Sequence, residues 1–233
     1  MRARQRHLNP KAAGATLVLD ARLISGLSDG TGVQTWSDAS GGGNDATQAT
    51  SGSRPLYKTA VQGGQPGLLF DGTDDSMATT YGPTSGDVTV FALFKPNSPP
   101  AFSRIVDKDY GSGFWFGKDG SASDPKYGGG CRQTGSPFGV FLTMNATASH
   151  VMSGSRSSTT WTITDETNAT GSATVSSTAF SIEKILIGIN NFGNAWWKGH
   201  IFAVSYFHNL ALSGPLLRRM FHAYGFSYKI ASS

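Results

Sequence analysis

The chain has 233 residues, 38% hydrophobic and 15% charged, with 30 glycines, 10 prolines, one cysteine and a formal net charge of +4. This length suits one large all-β domain, and the composition excludes a disordered or coiled-coil chain. No stretch approaches the ~18 apolar residues of a membrane helix, and a lone cysteine rules out an intrachain disulfide framework.

The positive charge is local. Arg2, Arg4, Arg6 and Lys11 are four of the 19 basic residues and stand together at the N-terminus, while the other 15 balance 15 acidic residues. Residues 1–14 therefore read as a basic arm for an anionic partner. Contact with nucleic acid would be weak, because four charges release few counterions. The arm lacks the apolar run of a signal peptide, so the expected settings are a virion or, for a chain whose leader has been removed, an extracellular surface. Cys131 reads as a small buried or half-buried residue.

In chain order, residues 15–20 form a first strand, 21–27 a short crossover and 33–36 another short strand. Residues 36–75 are rich in turns and fit no helix. Gly41, Gly42, Gly43, Asn44 and Asp45 supply turn conformations, Arg54 before Pro55 forces extension, and the strand 68–70 stops at Asp71 and Gly72. Residues 76–80 are expected to pair back onto 68–70. The run DVTVFALFK at 87–95 reads as a long central strand, because β-branched and aromatic residues fill it and Pro96 ends it. Residues 101–109 and 112–118 form a hairpin about Tyr110 and Gly111, and 137–145 a further strand. The Ser- and Thr-rich segments 149–155, 159–165 and 172–178 read as strands with a face open to water. Strands at 182–189 and 196–208 flank a loop, and a helix at 214–224 starts at Ser213 and Pro215 and stops at Gly225.

Three ordered motifs carry a resemblance. Trp36, Asp38, Ser40, Gly41, Gly43, Asn44, Ala46 and Gln48 spell W-x-D-x-S-G-x-G-N-x-A-x-Q; Arg54, Pro55 and Tyr57 follow, then F-D-G-T-D-D from Phe70 to Asp75. Towards the C-terminus, W-K-G-x-I at Trp197 to Ile201 precedes a helix ending in Y-G. The pattern resembles laminin-G-like domains of the concanavalin A-like lectin/glucanase superfamily over residues 15 to 230. The resemblance implies an all-β fold, an antiparallel two-sheet β-sandwich of concanavalin A-like jelly-roll type with a short C-terminal helix, occupying residues 15–233 after the arm. That superfamily holds lectins, adhesins, glycoside hydrolases and virion parts, so function rests on sites.

Hydrolysis of sugars on this fold uses paired carboxylates, and the E-x-D-x-x-E strand motif of the superfamily's glucanases is absent. Asp165 and Glu166 are neighbours that point to opposite faces in a strand, and Asp107 and Asp109 sit at a strand end beside Lys108. His150, His200 and His208 read as partners of backbone carbonyls. No catalytic residue is assigned. Sugar stacking on aromatic rings is the stronger signal. Trp36 and Trp197 occupy positions that the resemblance assigns to the core, whereas Trp196 should face the other way beside the amides of Asn191 and Asn194. Trp115 and Tyr110 are further aromatic candidates. No cofactor is required; calcium is the one left open, at Asp71, Asp74 and Asp75. The function expected first is a non-catalytic glycan-binding or adhesion domain. The alternative is a phage virion structural protein, capsid-decorating or tail, with a neighbouring virion protein or a second copy as partner. A polysaccharide hydrolase or lyase ranks third.

Overall fold

The computed structural model describes residues 9–84, 86–109, 112–120, 125–131 and 139–230. The first strands are β1 (Leu17–Asp20), β2 (Thr35–Trp36), β3 (Ala46–Thr47), β4 (Leu56–Gln62), β5 (Gln65–Asp71) and β6 (Met77–Thr79). Next come β7 (Val88–Pro96), β8 (Arg104–Asp107), β9 (Phe114–Lys118), β10 (Lys126–Cys131) and β11 (Val140–Thr143). The chain closes with β12 (His150–Ser157), β13 (Thr160–Asp165), β14 (Thr170–Thr174), β15 (Leu186–Ile187), β16 (Lys198–His208) and helix α1 (Gly214–Tyr228). The first sheet has the order β14-β13-β12-β7-β16-β5-β4 with β1 also on β16, and the second β11-β10-β9-β8-β15-β6-β3-β2. Every pairing among these strands is antiparallel.

The sandwich follows from the two-residue period of β7. Val88, Val90, Ala92 and Phe94 enter the core between the sheets, while Phe91 and Leu93 enter a second cluster on the outer face. Helix α1 roofs that outer face with Met220, Phe221, Tyr224 and Tyr228. A strand apolar on both faces needs cover on both faces, and the helix supplies the second cover. Two buried cations are held by carbonyl oxygens. Arg156 donates to the carbonyls of Thr178 and Gly86 and lies 4.0 Å from the Phe180 ring. Lys108 Nζ donates to the carbonyls of Ser181 and Glu183.

Several expectations are corrected. Residues 77–79 do not pair with 68–70: β6 joins β3 and β15 in the second sheet, because the turn after Asp71 carries the chain across the sandwich edge. The expected strand at 182–189 shrinks to β15, with Ile182 82% exposed; residues 181 and 183 hold Lys108 through their carbonyls instead. The Ser- and Thr-rich strands divide. β14 alternates between exposed and half-buried residues, but β12 is buried from His150 to Gly154, since Val151 packs under the helix and Met152 into the core. Residues 51–53 form a 3-10 turn within the stretch expected to hold no helix. The edge strand β4 is interrupted by a register shift between Lys58 and Gln62, with Ala60 at φ 55°.

Helix α1 runs through Gly225 to Tyr228 and ends with Lys229 in the left-handed region at φ 51°. A mid-helix glycine costs about 1 kcal/mol. Burial of Tyr228 offsets it: the ring is fully buried against Phe202, and its hydroxyl donates to Asp20 Oδ1 at 2.8 Å and to the Phe202 carbonyl at 3.1 Å. Tyr228→Phe should therefore lower unfolding free energy by about 1–2 kcal/mol without changing the far-ultraviolet spectrum, as read by urea titration.

Candidate functional site

The start of β16 organises one rim of the sandwich. Trp197 points inward and is fully buried, edge-on to Phe94 at 5.6 Å, and its backbone N–H donates to the Gly188 carbonyl at 2.8 Å. The neighbouring Trp196 is half-buried. Before it, Asn190 and Asn194 close the loop on itself: Asn190 Nδ2 donates to Asn194 Oδ1 at 2.9 Å, and the Asn194 N–H donates to Asn190 Oδ1 at 3.0 Å. Gly193, at φ 71°, supplies the left-handed step of this turn. The closed loop carries Phe192, 65% exposed, and leaves Asn194 exposed. On the adjoining segment Arg104 N–H donates to the Ala195 carbonyl at 3.1 Å, and Phe102, two residues earlier, is 57% exposed.

Asn191 is used to hold the loop. Its Nδ2 donates to Asp109 Oδ1 at 3.0 Å, while its Oδ1 is buried without a hydrogen-bond partner. Asp107, next to this anchor, is fully buried; its Oδ1 accepts the Asp109 N–H at 2.7 Å and its Oδ2 faces Arg104 Nε at 3.9 Å. Burial pushes the Asp107 carboxyl up to about 7, opposed by the Arg104 charge and by N–H bonds from Asp109 and Asn191. Asp107 and Asp109 thus brace the loop, and Asp107 presents no surface to a substrate.

Trp115 is also closed. The alternation of β9 sends Phe114 and Phe116 into the core and Trp115 to the opposite face. There the Arg104 guanidinium lies 3.9 Å from its ring centroid, and Phe141 packs against it at 5.7 Å. At 4% exposure it offers no free face for stacking, which corrects its candidacy. Tyr110, Arg2, Arg4 and Arg6 lie outside the described residues. Lys11 is exposed and its ammonium lies over Gly41, against the loop that carries the first motif.

Asp71, Asp74 and Asp75 reach the same rim, since Asp71 pairs with Lys198, two residues beyond Trp196. Carboxylate oxygens of the three lie within 4.8 Å of one another. Asp71 Oδ1 accepts N–H groups from Thr73 at 2.7 Å, Asp74 at 3.3 Å and Asp75 at 3.5 Å, and Asp75 Oδ2 accepts the Asp71 N–H at 2.9 Å. Against the pull of burial, those N–H bonds hold the Asp71 carboxyl below its usual range. Asp75 goes the other way, to about 6, pushed by burial and by the charges of Asp71 and Asp74. Oxygen ligands of this charge suit a hard cation, and the inner oxygens already cap the crossover turn.

Two clefts of about 580 Å³ open elsewhere. One lies beneath Leu23 and Ile24 and includes Asp20, Gln34 and Arg54. The other lies where the 143–149 loop meets the β13–β14 turn and includes Lys95, His150, Glu166 and Lys229. The sequence reading missed Phe102, Phe192 and this second cleft; the lone phenylalanine at the tip of a polar Asn/Gly loop was the available signal for Phe192.

No family model matches the chain, and no curated protein does. Among solved structures, Trypanosoma rangeli sialidase is similar at 13% identity and TM-score 0.62, over 90% of this chain and 32% of the sialidase. Domain 4 of a GH43 extracellular arabinanase from Geobacillus stearothermophilus, in complex with arabinotriose, is similar at 13% identity and TM-score 0.58, over 89% of this chain and 97% of that domain. The binding domain of botulinum neurotoxin DC in complex with SialylT is similar at 11% identity and TM-score 0.63, over 92% of this chain and 52% of that one. The chain spans about a third of the sialidase. At these identities the likeness establishes the fold alone, an antiparallel two-sheet β-sandwich.

Two predictions follow from the rim. Trp197→Ala should cost about 3–5 kcal/mol of stability and Trp196→Ala less than about 1 kcal/mol, read by denaturant unfolding. Asp75 titrates at about 6 in the fold against an ordinary 3.8, so both states are protonated below 3.8 and stability is lost as pH rises through 6. Asp75→Asn should accordingly raise the thermal midpoint at pH 8 and leave it unchanged at pH 3. A rise with millimolar calcium at pH 8, present in the wild type and absent in the variant, would assign the cluster to a cation.

Proposed function

We propose that the chain is a non-catalytic carbohydrate-binding domain, laminin-G-like within the concanavalin A-like superfamily, whose glycan contact is the rim around Trp196. The observation that carries this reading is the pair of adjacent indoles, one fully buried and one half-buried, in a segment whose neighbouring loops carry the exposed Phe102 and Phe192. An apolar sugar face lies on such a ring, and its hydroxyls need donors and acceptors at the ring's edge. Asn194, with its Oδ1 already engaged by Asn190, keeps an exposed side chain for that purpose, and Asp74 adds an acceptor on the neighbouring turn. Asn191 supports the loop from beneath and is not a contact in this reading.

The bracing below the rim is an argument of its own. A loop closed by its own amides and anchored to Asp109 has little ordering left to lose when a ligand binds, which favours affinity at a small site. The arabinotriose-bound arabinanase domain and the SialylT-bound toxin domain give the reading its carbohydrate direction. Asp107 has the raised pKa of a general acid but is fully buried, and this supports binding over hydrolysis.

The test is a polysaccharide and glycan array run with calcium and with chelator, followed by titration calorimetry on any hit. A shallow site of this kind should bind at roughly 10 μM to 1 mM. Trp196→Ala should weaken binding at least tenfold with folding intact, and Phe192→Ala should weaken it less. Silence of the array in both conditions, or binding that survives Trp196→Ala, would overturn the proposal.

A further inference from the structure

The second cleft has an unusual charge balance. Both of its acids are occupied by groups of the protein. Glu166 Oε1 meets His150 Nδ1 at 2.6 Å, and Glu166 Oε2 accepts the Val151 N–H at 3.1 Å. His150 Nε2 meets the Asn145 carbonyl at 2.7 Å, so both ring nitrogens face acceptors and the protonated imidazolium satisfies both. Burial alone would lower the His150 pKa; Glu166 and the Asn145 carbonyl raise it above the ordinary value. Asp165 Oδ1 is taken by Thr167 N–H and Oγ1 and by Ala169 N–H, at 2.9, 2.7 and 2.9 Å.

Two ammonium groups remain. Lys95, at the end of β7, and Lys229, just past α1, line the cleft and make no ion pair among the described residues. The stem of Lys229 rests against Gly63, where a Cβ would come within 2.9 Å of it, so the side chain leaves the helix over the β4–β5 turn. His200, which pairs with Lys95 in the β7–β16 register, is pushed down to about 4 by burial and by the charges of Lys95 and Lys58. A local excess of positive charge thus marks this part of the surface. Around it, Asn145 and Thr147 are exposed on the lip, and Gln62 ties the walls together: its Oε1 accepts from Ser149 Oγ at 2.7 Å and its Nε2 donates to the Lys229 carbonyl at 3.3 Å.

We propose that this cleft is a second glycan site that takes a sugar bearing a carboxylate, with Lys95 and Lys229 receiving the carboxylate and Asn145 and Thr147 facing the hydroxyls. The proposal rests on the reading of the chain as a carbohydrate-binding domain, but none of its residues belongs to the Trp196 rim. The His150–Glu166 pair acts as a positioning element: it fixes the 143–149 loop against the start of β12 and holds the cleft's shape.

The experiment is calorimetric titration of the intact protein with tri-galacturonate and with its methyl ester, which removes the charge and keeps the sugar. Wild type, Trp196→Ala and the double variant Lys95→Gln/Lys229→Gln are compared at low and high salt. The acid form should bind and the ester should not bind at this cleft. Binding of the acid should fall about tenfold in the double variant, weaken with salt, and be unchanged in Trp196→Ala. Equal binding of acid and ester, insensitivity to the lysine substitutions, or full competition by acetate alone would overturn the second site. Continued loss of neutral-sugar binding in Trp196→Ala alongside such a result would leave the rim intact as a site. No binding of any sugar, charged or neutral, would overturn both.

Discussion

Both faces of the central strands β7 and β16 are apolar, and both must be covered. The inner face takes the second sheet and the outer face takes helix α1, so the broad sheet surface that could have received a ligand is occupied by Phe221, Tyr224 and Tyr228. The open surface is thereby confined to the margins, where strands end and connections cross from sheet to sheet. The Trp196 rim, the carboxylate-lined turn at Asp71 and the cleft beside Lys95 all lie at such margins.

The same constraint governs where charge can go. A neutral core has no water to receive Arg156, Lys108 or Asp107, and each is handled differently. Arg156 and Lys108 find carbonyl oxygens of irregular segments, which makes those segments part of the fold despite their lack of regular structure. Asp107 is left close to neutrality, next to Arg104 and the anchored Asn191. The loop that presents Trp196 therefore stands on a buried polar network and not on packing alone.

Much of this was legible in the residues. The apolar run DVTVFALFK marked β7 as a long central strand, and the W-K-G-x-I motif assigned Trp197 to the core, where it is fully buried. Other features escaped for physical reasons. Gly72 and Thr73 mark a turn, but turn chemistry does not say whether the chain returns to its own sheet or crosses to the other. Gly225 has the form of a helix stop, yet Tyr228 three residues later finds Asp20 and Phe202, partners far away in the chain. Trp115 between two phenylalanines left its outer face undetermined, and only the fold brings Arg104 and Phe141 over it. The Lys95–Lys229 cleft draws on five separate segments, none of which carries a local pattern.

The interrupted edge strand β4 has a further consequence. At its outer edge the first sheet ends in a strand whose ladder breaks between Lys58 and Gln62, and the opposite edge is the short, polar β14 with Gly171 within it. The second sheet ends in a two-residue strand at one side and a four-residue strand at the other. None of these margins offers a long, flat template for another chain to extend. Copies of this sandwich can therefore be crowded side by side without their described edges fusing into continuous sheets.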